Sequence, residues 1–266
     1  MLTLRFNLLG PFEIVNDEGK CCTPHTPKVC QVLALVLTRP NEMVSVESFI
    51  QELWGEEPPR SALTTLQTYV YHARKLFAES GMEAPGEPRL VTRAPGYMIR
   101  VEDHELDVLV FEQMVRQGRR SLQEEEEAEV AAKLLREALG MWRGPTLANI
   151  AVGPVLSAQI TYLSEIRIRA AELSIEAEKR LGRHRELVPE LRSLVREYPY
   201  NEWFHGQLMD VLSLSGRRAE ALQAYQDLRG ILADELGMEP SPEIQQLQRR
   251  VLGSPLSSRS SHRAYV

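Results

Sequence analysis

The sequence predicts a mainly α-helical protein with a small β component near its N terminus. Short runs of alternating apolar residues occur before residue 16, whereas apolar residues recur at steps of three and four over most of the remaining chain. Two glycines in the C-terminal half, Gly182 and Gly216, are 34 residues apart, which indicates repeated helix pairs. With 266 residues, of which 43% are hydrophobic, the chain is long enough for two domains with separate cores.

The N-terminal region begins with two predicted strands and an apolar helix. Residues 2–15, LTLRFNLLGPFEIV, alternate in two short runs interrupted by Gly10-Pro11, a pattern typical of strands packed on helices. Residues 28–38, KVCQVLALVLT, are predicted to form a helix that ends before Pro40.

A second, short helix is predicted to follow Ser45, whose hydroxyl suits the N-cap position. Its spacing places Glu47 and Glu52 toward solvent. The positions predicted to face inward are Phe49, Ile50, Leu53 and Trp54.

The third helix is predicted over residues 59–77, because Pro58-Pro59 ends the preceding segment. At about 100° per residue, its side chains separate onto two faces. The apolar stripe comprises Leu63, Leu66, Val70, Ala73 and Phe77. The polar face comprises Ser61, Thr64, Thr65, Thr68, Tyr71, His72 and Lys75, with Arg74 at its flank. Many surface helices share this pattern, but three helices joined by short turns favour a helix-turn-helix, whose polar face can bond to bases and phosphates.

A hairpin with a cationic tip is predicted after the third helix. Residues 90–92 and 97–99 read as two short strands, and Arg93-Ala94-Pro95-Gly96 forms the turn between them. An arginine at such a tip suits a narrow minor groove, which concentrates negative potential. The helices and hairpin together predict a winged helix-turn-helix.

The positive charge of this region is concentrated around the third helix. The chain has a net charge of −6, and residues 1–103 contain 10 Lys/Arg against 13 Asp/Glu. Residues 58–78, in contrast, contain three cations and no carboxylate. This distribution argues against a nonspecific nucleic-acid coater and favours one DNA-facing surface.

Residues 1–103 resemble the DNA-binding domain of OmpR-type response regulators, notably in the wing segment TRAPGYMI. The resemblance implies that residues 59–77 are the recognition helix and that Arg93 is the wing arginine. This recognition helix is poorer in arginine than is common in that family, which implies weak intrinsic affinity helped by dimerisation or by polymerase. The candidate DNA-contacting residues are Lys28, Arg60, Thr64, Thr65, Thr68, Tyr71, His72, Arg74, Lys75 and Arg93.

The second half is predicted to be a helical array like that of tetratricopeptide repeats. Gly182 and Gly216 each end one helix and permit a tight turn into the next. An earlier helix pair is predicted over 108–118 and 127–142, followed by a loop from 143 to 154 whose partners the sequence does not identify. The segment 253–266 is predicted to be a disordered tail, and the glutamates from 124 to 127 a solvated helix start.

Four stretches of this half resemble the bacterial transcriptional activation domain. They are ALGMWRGPTL, EAEKRLGRHRELVPELRSLVREYP, QLMDVLSLSGRRAEALQAYQDLR and LADELGMEPSPEIQQLQRRVL. Together with the N-terminal domain, they are similar to the SARP family, the antibiotic regulatory proteins of actinomycetes. The predicted domains are therefore 1–103, a winged helix-turn-helix, 104–252, a TPR-like activation domain, and the tail 253–266.

That resemblance implies an activator of a secondary-metabolite gene cluster. Such a protein binds direct repeats in promoter DNA as a homodimer and recruits RNA polymerase through its sigma factor and its alpha and beta subunits. The resemblance also implies a small-type member of the family, without the ATPase and sensor domains of larger relatives. The alternative is a TPR-type protein-interaction adaptor without sequence-specific DNA binding.

Other function classes find little support. The sequence lacks a phosphate-binding Gly-rich loop ending in GK[ST], H-E-x-x-H and G-x-S-x-G, so we expect no enzyme activity and no cofactor. Cys21, Cys22 and Cys30 are odd in number and, with His25, match no common zinc spacing, so neither a disulfide framework nor a metal site is expected. No signal peptide or membrane span is predicted, and we expect a cytoplasmic, nucleoid-associated protein without membrane contact.

Overall fold

The computed structural model describes residues 4–79, 88–124 and 127–253. The described residues form ten α-helices and five short strands. This composition confirms the predicted mainly α-helical class with a small β component. Contacts divide the chain into two compact units, Met1–Ser174 and Ile175–Val266.

The first unit begins with an antiparallel pair of strands, β1 (Leu4–Asn7) and β2 (Glu13–Asn16), in which Leu4 lies opposite Asn16. Their apolar side chains face a continuous core, where the rings of Phe6 and Phe77 meet edge to face with centroids 6.3 Å apart. The alternation of apolar residues in the sequence follows from this arrangement, because one face of the hairpin is buried.

Three helices follow, in helix-turn-helix order. They are α1 (Pro27–Leu37), α2 (Val46–Trp54) and α3 (Ala62–Glu79). The predicted cap of α2 is confirmed, since the hydroxyl of Ser45 accepts the backbone N–H of Ser48 at 3.2 Å.

The structure contradicts the predicted exposure of Glu52, which is only 3% exposed. Its carboxylate is buried because it receives backbone N–H groups from a segment about a hundred residues away.

A three-stranded sheet carries the wing. Strand β3 (Val44–Ser45) pairs with β5 (Gly96–Ile99), which in turn pairs with β4 (Leu90–Arg93). The two wing strands confirm the predicted hairpin. The sequence did not reveal β3, because two residues are too few to show alternation.

The first unit also contains the helix pair α4 (Asp107–Ser121) and α5 (Ala128–Gly140). The two helices pack closely at Gly118, where an added Cβ would lie 2.7 Å from Cγ of Leu135. Helix α6 (Pro154–Arg180) begins in this unit and ends in the second.

The loop from 143 to 153, whose partners the sequence left open, binds the turn between β1 and β2. The backbone N–H of Arg143 donates to Leu9 O at 2.8 Å, and that of Leu147 donates to Gly10 O at 2.7 Å. Asn149 accepts the N–H of Phe12 and donates to its carbonyl. The N-terminal strands are therefore hydrogen-bonded to the segment that the sequence assigned to the activation domain.

The second unit continues the helical array with α7 (His184–Glu197), α8 (Glu202–Leu214), α9 (Arg218–Leu236) and α10 (Pro242–Gly253). Gly182 and Gly216 lie at equivalent turns with φ of +74° and +77°, in the left-handed region that glycine favours. The residue after each glycine donates its N–H to a carbonyl five residues earlier. These paired turns confirm the TPR-like arrangement.

Several predicted segments lie partly outside the described residues. Of the predicted tail, Gly253 ends α10, and residues 254–266 are outside the described ranges. Glu125 and Glu126 of the glutamate run are outside them as well.

All three cysteines are free thiols. Cys30 is buried, and this burial raises the pKa of its thiol. None of the helices within the described ranges is long and apolar enough to cross a membrane.

Candidate nucleic-acid interface

The buried stripe of α3 is shifted from its predicted position. It comprises Ala62, Leu66, Val70, Ala73 and Phe77, all at most 5% exposed. Leu63, which we predicted to face the core, is 49% exposed. At about 100° per residue, Leu63 lies just outside the arc of the buried side chains, and Ala62 takes the core position in the first turn.

Seven exposed side chains between Leu63 and Lys75 lie on one face of α3, at positions that repeat every four residues, and Glu79 continues this spacing in the last turn. This exposed α3 face comprises Leu63, Thr64, Gln67, Thr68, Tyr71, His72 and Lys75. It includes five of the predicted DNA-contacting residues. Gln67 was missed, although it lies four residues before Tyr71, which we predicted to be on the polar face.

The polar groups of this face bond mostly within the helix. The hydroxyl of Thr68 donates to Thr64 O at 3.0 Å, and the rings of Tyr71 and His72 meet at 5.6 Å. Lys75 Nζ lies 3.5 Å from Glu79 Oε1, and both of these side chains are mainly exposed. Such local bonds between exposed groups are weak and can be exchanged for contacts with a ligand.

Thr65 lies outside the exposed α3 face. It is half-buried, and its hydroxyl lies 3.5 Å from that of Ser61. Arg60 is exposed and lies just before the helix.

Arg74 connects α3 to the wing. Its Nε donates to Leu90 O and one terminal nitrogen donates to Thr92 Oγ1, both at 2.8 Å. The guanidinium also lies 5.9 Å from the ring centroid of Tyr97 on β5. Arg74 is half-buried, and these contacts set the distance between α3 and the wing.

The wing is also held at its base. Arg89 and Glu105 form a two-pronged ion pair with both N···O distances at 2.7 Å. Burial alone would raise the pKa of Glu105, but hydrogen bonds from Arg89 and from the backbone of Glu102 outweigh it, so the pKa is lowered. The carboxylate therefore stays charged and keeps the start of β4 in place.

Arg93 lies exposed at the tip of this wing, opposite Gly96. A Cβ at Gly96 would lie 1.9 Å from Val44 O, so only glycine allows β5 to approach β3 at this point. The tight turn leaves the Arg93 side chain directed away from the core, as a groove-inserting residue requires.

Lys28 lies at the start of α1 and is half-buried. Its ammonium donates to Gln31 Oε1 at 3.0 Å and to Leu53 O at 2.9 Å. The second bond satisfies a carbonyl in the last turn of α2, where a positive charge is favourable. Of the predicted DNA-contacting residues, Lys28 and Arg74 are thus the two whose side chains form hydrogen bonds to a different helix or strand.

Comparisons with known proteins cover both halves of the chain. The family described as "Transcriptional regulatory protein, C terminal" matches residues 20–99, and that described as "Bacterial transcriptional activator domain" matches residues 106–252. The second match alone spans more than half of the chain.

Relatives match the two halves together. The regulatory protein DnrI of Streptomyces peucetius is 36% identical over 252 residues, which are 94% of this chain and 92% of DnrI. The regulatory protein AfsR of Streptomyces coelicolor is 35% identical over 250 residues, and this chain spans only 24% of its length.

A solved structure, that of Mycobacterium tuberculosis EmbR in complex with a low-affinity phosphopeptide, has a TM-score of 0.86 and 34% identity. The match covers 95% of this chain and 65% of EmbR. Both family matches, the near-complete alignment with DnrI and the shared fold lead to the same conclusion. This chain belongs to the bacterial transcriptional activator domain family and is a transcriptional activator of the SARP type.

Proposed function

We propose that this activator binds duplex DNA by placing α3 in the major groove and Arg93 at the adjacent minor groove. One observation carries the proposal: the exposed α3 face lies beside an arginine-tipped wing, and from Leu63 to Lys75 it contains no carboxylate. The acidic Glu79 follows only in the last turn, where it pairs with Lys75. A helix of this kind fits the width of the major groove.

The residue types on this surface match different parts of a duplex. Thr64, Thr68 and His72 offer donors and acceptors to base edges, Arg60 and Lys75 offer positive charge to the phosphates, and Arg93 offers it to the minor groove. Because these cations are few in a chain of net charge −6, the electrostatic component of affinity should be modest. Each phosphate contact contributes a slope of roughly −0.9 to the dependence of log K on log salt.

Family membership supports a fuller activity. In this proposal, two copies bind direct repeats near a promoter of a secondary-metabolite cluster, and the helical array recruits RNA polymerase through its sigma factor and its alpha and beta subunits. Weak DNA affinity of one copy is consistent with a need for a second copy and for polymerase contacts.

The direct test is fluorescence anisotropy of the purified full chain with duplexes selected from a random pool. We expect sequence-dependent, salt-sensitive binding, weakened roughly three- to tenfold in Lys75→Gln with a salt slope smaller by about one. Lys133→Gln is the matched control, since Lys133 also forms an exposed i,i+4 pair, with Glu137. It should bind like the unsubstituted protein.

Transcription in vitro with actinomycete RNA polymerase tests the second step. The full chain should increase transcript from a template that carries the selected site, and Lys75→Gln should do so less at limiting protein. If no duplex is retained in a sequence-dependent manner, the protein is instead an adaptor that acts through protein contacts.

A further inference from the structure

We infer that Leu63 and Gln67 recognise A·T base pairs in the major groove. In this inference Leu63 packs on the C5 methyl group of a thymine, and Gln67 makes paired hydrogen bonds with N6 and N7 of an adenine. The inference rests on the proposed function and specifies the bases that α3 selects.

The exposure of Leu63 is the first observation. Its side chain is 49% exposed although the core beneath α3 is complete without it, since Ala62 and Leu66 are at most 5% exposed. A leucine left half in water contributes less than its full share of folding energy. The thymine methyl is the one apolar group that a base edge presents in the major groove, and it would cover this surface.

The position of Leu63 is the second observation. It lies in the first turn of α3, and the N-terminal residues of a recognition helix are those that contact base edges. Within α3 itself, the first turns up to Lys75 contain no carboxylate that would repel phosphates.

Gln67 lies one turn after Leu63 on the same exposed face. Among the described residues its side-chain amide has no hydrogen-bond partner, so both its donor and its acceptor are available to a ligand. A glutamine amide matches the N7 acceptor and N6 donor of adenine. The rise between the two residues is about 6 Å, or roughly two base-pair steps, so both can contact one short A·T segment.

The charge of the face agrees with this choice of bases. Arginine and lysine are the usual partners of guanine, and acidic side chains those of cytosine. Lys75 is the single cation of the exposed α3 face, and it lies about 18 Å along the helix from Leu63. The first two turns therefore present groups that complement thymine and adenine.

Base analogues test the inference on a duplex that the unsubstituted chain has selected from a random pool. Each thymine is replaced in turn by deoxyuridine, which lacks the methyl group, and each adenine by 7-deazaadenine, which lacks the N7 acceptor. Dissociation constants are measured for the full chain, Leu63→Ala, Gln67→Ala and the control Leu214→Ala, in which an exposed leucine of α8 is truncated.

We expect one deoxyuridine position to weaken binding of the unsubstituted chain three- to tenfold and to leave Leu63→Ala unaffected. One 7-deazaadenine position, within two base pairs, should likewise weaken the unsubstituted chain and leave Gln67→Ala unaffected. Leu214→Ala should respond to both analogues as the unsubstituted chain does.

The inference is overturned if Leu63→Ala and Gln67→Ala lose as much affinity on the analogues as the unsubstituted chain, or if no analogue weakens binding. In either outcome the proposed function survives, because the unsubstituted chain still binds its selected duplex. If no duplex is selected at all, the proposed function fails as well. Circular dichroism verifies the fold, and Leu63→Met, which keeps an apolar side chain, should restore sensitivity to deoxyuridine if the contact is apolar.

Discussion

The carboxylate of Glu52 accepts the backbone N–H of Gly153 at 2.6 Å, which joins α2 to the segment that starts α6. The same carboxylate accepts N–H groups of Val155 and Leu156 at 2.9 Å and the side-chain amide of Gln31 at 3.0 Å. A Cβ at position 153 would lie 2.3 Å from Glu52 O, so glycine is required there. A residue of the helix-turn-helix therefore caps a helix of the activation domain within one compact unit.

Replacing Glu52 should destabilise this unit. In Glu52→Gln one carboxylate oxygen becomes an N–H₂ group that faces backbone donors, so at least one buried N–H loses its partner. We expect the free energy of unfolding to fall by about 2–4 kcal/mol, the range for losing charge-assisted buried hydrogen bonds. Urea unfolding of the full chain measures it. Glu47→Gln, at an exposed position of the same helix, should change stability by less than about 0.5 kcal/mol; equal losses in the two variants would contradict the capping role.

The fragment 1–103, which ends at the boundary predicted from sequence, should fold poorly. It lacks Asp107, whose carboxylate accepts the N–H groups of Leu8 and Leu9 at 2.8–2.9 Å, and it lacks Asn149, which binds both backbone groups of Phe12. Without these partners, the buried backbone of the N-terminal hairpin is left unsatisfied.

Circular dichroism during thermal unfolding compares this fragment with the full chain. We expect a broad transition and at least tenfold weaker binding to the selected duplex. A fragment that unfolds as cooperatively as the full chain and binds equally well would show that the hydrogen bonds to Asp107 and Asn149 are dispensable.

Arg74 should act on DNA binding through the wing. Arg74→Ala removes both bonds to β4, so Arg93 is no longer held at its distance from α3. We expect Arg74→Ala and Arg93→Ala to weaken DNA binding by similar factors. The affinity of the double variant should be no lower than that of the single variant with the lower affinity. The loss in Arg93→Ala should be largest at sites with an A·T-rich flank.

A double-mutant cycle measured by anisotropy decides between two roles of Arg74. Losses that multiply in the double variant would mean that Arg74 contacts DNA itself, as the sequence predicted. Arg100→Ala, at an exposed arginine just after β5, is the control for loss of charge near the wing.

Acid should destabilise the second unit through His205. Burial lowers the pKa of this histidine below its ordinary value of 6.5, and its Nε2 lies 3.1 Å from Pro199 O. The unfolded chain therefore binds a proton at a higher pH than the folded chain does. The contribution of neutral His205 to folding stability is therefore complete above pH 6.5. It is lost as the pH falls from 6.5 through the lower pKa of the folded state.

The melting temperature of the full chain between pH 5 and 8 tests this dependence. His205→Gln keeps an N–H donor for Pro199 O but does not titrate, so its melting temperature should fall less on acidification. His184→Gln, in the same unit, should keep the dependence of the unsubstituted chain. If His205→Gln responds to acid as strongly as the unsubstituted chain, another group is responsible.

Local patterns were sufficient for the elements of the interface. The spacing of apolar residues predicted α3, the hydroxyl of Ser45 predicted the start of α2, and turn residues predicted the wing and the glycine turns at 182 and 216. These features depend on neighbours within a few residues, so a single sequence contains the necessary information.

Contacts between distant segments were not predictable in this way. Helical spacing alone places Glu52 near solvent, because the N–H groups that bury it belong to residues 153–156. The bonds that engage Arg74 and Lys28 likewise come from other elements. For Leu63, the error was smaller, since a side chain at the edge of a helical stripe can lie on either side of the core boundary.

The sequence by itself determined the helices, the wing hairpin and most of the side chains on the polar face of α3, because periodicity and turn chemistry act over short distances. The tertiary structure alone decided that the N-terminal strands, α2 and the start of α6 form one body, and that Leu63 and Gln67 are exposed while Arg74 is tied to the wing. Burial and hydrogen bonding are set by what packs against a residue, and these partners lie far away along the chain.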